Sequence, residues 1–184
     1  MKKSFKLLLS IIAVLTIALS ACGKKEVKPV GINEKTDKCS ECNMAVMNNQ
    51  FATEIILDNG KVYTFDDIGC LFNWKSENKD KKIAASFVRD YDTKQWINLE
   101  KAHYVYAKDV HTPMSYNVVS FKNEADAKKF AKDQNGEKLS YSDLKSHEWK
   151  MNKDMMKMDM KKGMDMKKDM NMDMNKDSKG SHHH

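Results

Sequence analysis

Residues 51–65 have the sequence FATEIILDNGKVYTF, and this stretch predicts a β-hairpin. Its two halves, residues 51–57 and 61–65, are rich in residues that favour strands. Asp-Asn-Gly joins them at residues 58–60, and an Asn-Gly pair is a strong signal for a tight turn between antiparallel strands. The stretch therefore supplies the first two strands of a small sheet.

A helix and a third strand follow the hairpin. Asp66 or Asp67 can cap a helix whose apolar side chains fall on one face. Residues 84–91, AASFVRDY, then predict a strand. The expected order of this part of the chain is ββαβ.

The second half of the chain repeats this order. Strands are expected at residues 102–107 and 117–121, and Asn123 can cap the helix that follows. Gly136 stands where the end of that helix favours a left-handed residue. A short strand at residues 137–141 closes the unit.

The sequence thus predicts an α+β protein built by duplication, with two small ββαβ units in tandem. The first unit covers residues 37–95 and contains a CxxCxM motif, and the second covers residues 96–148. About 110 residues make one ordinary domain or two very small ones, which excludes a large multidomain enzyme.

The N-terminus has the features of an export signal. Basic residues precede an apolar run at residues 7–19, which is too short to span a bilayer comfortably. Residues 19–22, Leu-Ser-Ala-Cys, resemble a bacterial lipobox. We expect a lipoprotein signal peptide at residues 1–21, a lipid on Cys22, and a disordered tether at residues 22–36. The alternative is an ordinary cleaved signal; either one places the protein outside the cytoplasm.

Charge gives little support for a nucleic-acid partner. The net charge of the full chain is +6, but three of its lysines lie in the signal segment, and without them 29 basic side chains face 26 acidic ones. The sequence also contains no basic stripe with interleaved aromatic residues. We therefore expect no binding to nucleic acid.

The motif Cys39-Ser40-Glu41-Cys42-Asn43-Met44 permits four interpretations. A disulfide suits an oxidising compartment. A thioredoxin-like redox pair normally opens a helix after a buried strand, and here a charged tether precedes the motif. Zinc normally takes four nitrogen or sulfur ligands, but methionine is not one of its usual donors. Cu(I) prefers soft thiolates and thioethers, which this motif offers.

For Cu(I), Cys42 and Met44 would point the same way if the segment were extended. A third donor must then come from elsewhere, and Met114, held in a loop stiffened by Pro113, is the best candidate. His111 in the same loop is a possible auxiliary ligand. Cys70 lies inside the first predicted helix and is expected to be a small buried apolar residue.

No catalytic set is visible in the sequence. It shows no Ser/His/Asp set, no pattern of paired carboxylates and no Gly-rich phosphate loop. We therefore expect a protein that is not an enzyme.

Residues 149–184 form a Met-, Lys- and Asp-rich tail that we expect to be disordered. Ten methionines fall within residues 151–174. Thioethers do not form disulfides, so such a tail could collect Cu(I) at weak, exchangeable sites. It could instead be a solvated extension or a sink for oxidants.

Several of these residues together resemble the NosL family. They are the lipobox at Cys22, the CxxCxM motif, the 51–65 hairpin, the strand beginning at His103, Thr-Pro-Met at residues 112–114, and the segment 121–141. NosL proteins are accessory lipoproteins that carry Cu(I) for the copper centres of nitrous oxide reductase, together with a membrane ABC-type transporter. Their fold is a pair of ββαβ units.

The resemblance implies a membrane-anchored Cu(I) chaperone. It carries over Cys42 and Met44 as Cu(I) ligands and matches Met114 to the family's Pro-Met position. We add Cys39 as a second thiolate or redox partner. The family usually has glycine where Asn43 stands, and the Met-rich tail is not a general family feature. A thiol–disulfide oxidoreductase and a copper-resistance scavenger are the competing hypotheses.

Overall fold

The computed structural model describes residues 26–155 and residue 157. Its first part contains a four-stranded antiparallel sheet and one helix. These elements are β1 (Thr53–Leu57), β2 (Val62–Phe65), α1 (Ile68–Glu77), β3 (Ile83–Arg89) and β4 (Trp96–Asn98). The strand order is β2-β1-β3-β4. The predicted hairpin is confirmed, with Thr53 opposite Phe65 and Ile56 opposite Val62.

The second part contains a three-stranded antiparallel sheet in the order β6-β5-β7. A 3₁₀ turn, Leu99–Lys101, leads into β5 (His103–Tyr106), β6 (Val118–Phe121), α2 (Glu124–Asp133), β7 (Glu137–Leu139) and α3 (Tyr141–Ser146). In both sheets the first strand of the unit lies between its second and its third. This shared topology confirms the prediction of two ββαβ units.

Two short elements were not predicted. Strand β4 pairs with β3, so the first sheet extends three residues past residue 95, the predicted end of the first unit. Helix α3 begins with a capping box between Ser140 and Asp143. A three-residue strand and a six-residue helix are too short for hydrophobic periodicity to show.

The expected role of Gly136 was wrong. The left-handed residue after α2 is Asn135, with φ of 48°, and Gly136 is not among the residues with positive φ. Asparagine tolerates this conformation because its side chain is short and polar. Glycine is needed at 136 for space, since a Cβ there would lie 2.7 Å from the carbonyl oxygen of Tyr106.

Helix α1 contacts both sheets, lying against β1 and β2 of the first and β6 of the second. The main core contains apolar residues of both units, among them Phe65, Leu71, Tyr104 and Leu144, and the outer face of the second sheet buries a smaller cluster against α2. A Cβ at Gly69 would lie 2.1 Å from the ring of Tyr116. Glycine therefore lets the second unit approach the first turn of α1 closely.

The segment before the first sheet contacts the domain. The backbone N–H of Val30 donates to both carboxylate oxygens of Glu54, at 3.0 and 3.3 Å. Glu54 is fully buried on β1, and Ile32 packs against the main core. The later part of the expected tether is thus fixed to the folded domain. The predicted signal peptide and Cys22 lie outside the described residues.

The first residues of the expected tail also pack on the domain. The Trp149 ring stacks on Phe72 with a centroid distance of 4.7 Å. The side-chain amide of Asn117 donates to the sulfur of Met155, which is buried. Isolated apolar residues such as these carry no periodic signal, which is why the tail was expected to begin at residue 149. Met156 and residues 158–184 lie outside the described part of the chain. No helix within that part is long and apolar enough to cross a membrane.

Candidate metal centre

The CxxC segment forms a tight loop between Lys38 and Ala45, which are paired as an isolated β-bridge. The Cys39 N–H donates to the carbonyl of Met44 at 2.8 Å, and the Asn43 N–H donates to the carbonyl of Cys39 at 2.9 Å. Asn43 is left-handed, with φ of 63°. The assumption that the segment is extended was therefore wrong. Asparagine is one of the few residues that replace glycine readily in this conformation.

Hydrogen bonds hold this loop against β2. The Ser40 N–H donates to the carbonyl of Thr64 at 2.9 Å, and the Thr64 hydroxyl donates to the carbonyl of Lys38 at 3.2 Å. Asp66 follows directly after β2, and Cys70 lies in the first turn of α1. The loop is thus fixed beside the junction between the strand and the helix.

Four potential metal donors meet at this junction. Sulfur atoms of Cys39, Cys42 and Cys70 and a carboxylate oxygen of Asp66 all lie within 4.8 Å of one another. The Cys42 thiol donates to Asp66, at 3.5 and 3.6 Å from its two oxygens. Cys39, Asp66 and Cys70 are buried, and Cys42 is half-buried. Cys42 is therefore the most accessible sulfur of the cluster.

The three thiols differ in acidity because they share hydrogen bonds. The Cys70 thiol hydrogen-bonds to the sulfur of Cys39, which lowers the pKa of Cys39 to about 4 and raises the pKa of Cys70. Burial raises the pKa of Cys42 to about 12 and that of Asp66 to about 6. The Cys39 sulfur and, above a pH of about 6, the Asp66 carboxylate therefore carry the negative charge of the cluster, and a metal must displace protons from the other thiols.

Asp67 connects this junction to the loop that carries Met114. Its carboxylate accepts hydrogen bonds from the Thr112 hydroxyl at 2.6 Å, the Met114 N–H at 3.0 Å and the Gly69 N–H at 3.1 Å. Asp67 is buried and is also the N-cap of α1. One carboxylate therefore holds the second unit's loop against the first turn of the helix beside the thiol cluster.

The predicted site residues occupy different positions. Cys39 and Cys42 lie together in the cluster. Met44, two residues after Cys42, has 52% of its surface exposed, whereas Met114 is half-buried and packs against the core that contains Cys39. His111 is exposed and lines a separate hollow of about 330 Å³ with Lys108, Asp109, Asn152, Asp154 and Met155. Among the described residues, it is not grouped with the thiols.

Sequence reasoning missed Cys70 and Asp66 as members of the cluster. Cys70 is buried, as expected, but its sulfur faces two other sulfurs instead of only apolar groups. The available signal was the spacing Asp66-x-x-x-Cys70 across a predicted helix start, which places both residues at the same helix end. The proximity of the CxxC loop carried no sequence signal, because it depends on hydrogen bonds to β2.

The donor set favours a soft metal ion. Cys39, Cys42 and Cys70 are all free thiols, and soft sulfur ligands select soft ions such as Cu(I) over harder ions. The Asp66 carboxylate is a hard donor and suits Cu(I) poorly. In the metal-free protein it accepts a hydrogen bond from the Cys42 thiol, and this bond orients the Cys42 sulfur.

Comparisons with known proteins point to one family. The NosL family model matches residues 29–149. The structure is similar to the crystal structure of the copper chaperone NosL from Shewanella denitrificans, with a TM-score of 0.55 and 19% sequence identity. That similarity covers 65% of this chain and 95% of the other. A search of curated proteins found no match.

The matched region contains the two ββαβ units and every described member of the thiol cluster. The NosL family is one of copper chaperones and not of enzymes. The family model covers well over half of the sequence, and the fold agrees with that of the Shewanella protein. The chain therefore belongs to the NosL family.

Proposed function

We propose that this protein is an extracytoplasmic Cu(I) carrier, anchored to a bacterial membrane through a lipid on Cys22. It delivers copper for the copper centres of nitrous oxide reductase, together with an ABC-type maturation transporter. The observation that carries the metal assignment is the half-buried Cys42 sulfur, which lies among two further thiols and two residues before an exposed methionine.

The ligands of the carried ion are Cys42, Met44 and Met114, and we call this set the outer site. Cys42 supplies the thiolate, Met44 a thioether from the exposed end of the loop, and Met114 a thioether from the loop fixed by Asp67. Cys39 lies outside this set, as a second thiolate or redox partner beside it, and His111 remains a proposed auxiliary ligand. An exposed thioether suits a carrier, because a recipient can replace it while Cys42 still holds the ion.

Replacing Met44 by leucine is expected to weaken Cu(I) binding by about tenfold or more, because an apolar side chain cannot donate to the metal. The measurement is an anaerobic competition titration of the full chain with a chromophoric Cu(I) chelator. Met47→Leu is the matched control, since Met47 is 50% exposed, close to the 52% of Met44, and lies three residues further on. Equal affinities in both variants would contradict the proposed ligand set.

The same pair of variants separates the carrier from a thiol–disulfide oxidoreductase. An oxidoreductase depends on its cysteines, so Met44→Leu should leave its thiol–disulfide exchange rate unchanged. The free thiols and the exposed thioether beside them favour the carrier. An unchanged exchange rate together with an unchanged Cu(I) affinity in Met44→Leu would favour the oxidoreductase.

Removing residues 158–184 is expected to leave the tightest Cu(I) affinity within about threefold of that of the full chain, since isolated thioethers bind copper weakly. This truncation keeps Trp149, Asn152 and Met155, which pack on the domain. The chelator titration again provides the measurement. A loss of tight binding in the truncated chain would support a copper-resistance scavenger in which the tail is the working part.

A further inference from the structure

Cys39 and Cys70 are two buried sulfurs that the outer site does not require. Cys39 is 2% exposed and Cys70 is 1% exposed, and both lie within 4.8 Å of the Cys42 sulfur and of each other. A structural role for three thiols would ordinarily be served by a disulfide or by apolar packing. The three cysteines here are free, and their sulfurs converge.

We propose that Cys39, Cys42 and Cys70 form an inner Cu(I) site that takes up a second ion once the outer site is filled. The inference rests on the proposed function, because Cys42 is shared by the two positions. Cys42 would bridge the ions, with Met44 and Met114 on one side and the two buried sulfurs on the other.

The spacing of the sulfurs suits one metal ion. With metal–sulfur bonds of about 2.3 Å, three sulfurs spaced evenly around one ion lie about 4.0 Å apart, and two opposite sulfurs lie about 4.6 Å apart. The observed limit of 4.8 Å is therefore at most about 0.8 Å wider than the spacing of three sulfurs on one ion. Small changes of side-chain torsion in Cys39 and Cys42 can close this difference without moving the helix.

Charge explains the order of filling. One Cu(I) at the outer site needs only the Cys42 thiolate, so ion and ligand together are neutral. One Cu(I) held by all three thiolates would leave a charge of −2 beside the Asp66 carboxylate, which is unfavourable in a buried site. Two Cu(I) ions among three thiolates leave −1, so the first ion makes the second easier to bind.

The local structure favours the remaining negative charge. Cys70 lies in the first turn of α1, where unpaired N–H groups and the helix dipole stabilise anions. As each copper–sulfur bond forms, the thiol involved gives its proton to solvent, and no electron is transferred. The hydrogen bond from Cys42 to Asp66 is lost at this step, because the thiol proton was its donor.

The test is a titration of the full chain to two equivalents of Cu(I) without oxygen, in competition with a chromophoric chelator. We expect two tightly bound ions in the wild type, and one in Cys70→Ala and Cys70→Ser with the first affinity unchanged. The second ion should bind at least about tenfold more weakly in these variants. Saturation of the wild type at one ion, or two ions in both Cys70 variants, would overturn the inner site.

Labelling methionine as selenomethionine gives a second test that needs no cysteine variant. X-ray absorption at the copper edge then distinguishes thioether from thiolate ligands. We expect selenium around the first copper, and about half as much selenium per copper once the second ion binds to sulfur alone. An unchanged selenium signal at two equivalents would place the second ion on the methionines of the tail and reject the inner site.

These outcomes separate the two proposals. If the first ion depends on Cys42 and Met44 but no second ion depends on Cys70, the carrier stands and the inner site fails. If the first ion is indifferent to both Cys42 and Met44, the proposed function itself fails.

Discussion

The Cys42→Ser variant is expected to bind its first Cu(I) more than about 100-fold more weakly than the wild type. Loss of a group that only orients a ligand already costs about 10- to 100-fold in metal affinity, and here the ligand itself is lost. The serine hydroxyl is a hard donor that keeps its proton at neutral pH. Competition with a chromophoric chelator, without oxygen and on the full chain, measures the change.

Serine is a suitable replacement because its hydroxyl can keep the hydrogen bond from residue 42 to Asp66. The metal-free variant should therefore unfold at nearly the temperature of the wild type, and a thermal melt checks this. If the variant folds normally and its affinity is within threefold of that of the wild type, the CxxC loop does not hold the first Cu(I).

The second large effect is expected from Asp67→Ala, which should lower the free energy of unfolding by roughly 3 kcal/mol. The change removes a helix N-cap and leaves the buried Thr112 hydroxyl and the Met114 N–H without their acceptor. It should also weaken Cu(I) binding, because the loop that carries Met114 loses its attachment to α1. Denaturant unfolding and the chelator titration measure the two effects.

Asp90→Ala is the matched control for this variant. Asp90 is a buried carboxylate that also accepts three hydrogen bonds, two from Thr93 and one from the Lys122 N–H. It is not part of the thiol cluster. We expect a comparable loss of stability with an unchanged Cu(I) affinity. If both variants lose affinity equally, Asp67 acts through general stability and does not position Met114.

The fold was predictable where hydrophobic pattern and turn chemistry agree. The hairpin at residues 51–65 combines strand-forming residues with Asn-Gly. Asp67 caps α1, and Asn123 stands at the start of α2, although its side chain makes no cap hydrogen bond there. The ββαβ order therefore followed from local signals. Strand β4 and helix α3 were missed because their form depends on neighbours. Strand β4 is held in place by pairing with β3 and by the Arg89 guanidinium, which lies 3.9 Å from the centre of the Trp96 ring.

The candidate site was predictable only in part, and for a similar reason. Cys39, Cys42 and Met44 are adjacent in sequence and form a recognisable motif. Cys70 joins them only because the loop bonds to β2 and the helix begins directly after that strand. Contacts of this kind link residues about thirty positions apart. A single sequence does not show which distant residues come into contact.

The hydrogen bonds between Val30 and Glu54 limit how far the folded domain can lie from the membrane. Val30 lies eight positions after Cys22, and an extended chain covers at most about 3.3–3.6 Å per position. A lipid at Cys22 would then hold the point of attachment on the domain within about 28 Å of the bilayer surface. The protein would then exchange copper only within this distance of the membrane. A transporter in the same membrane would lie within its reach, whereas a soluble enzyme would have to diffuse to the membrane surface.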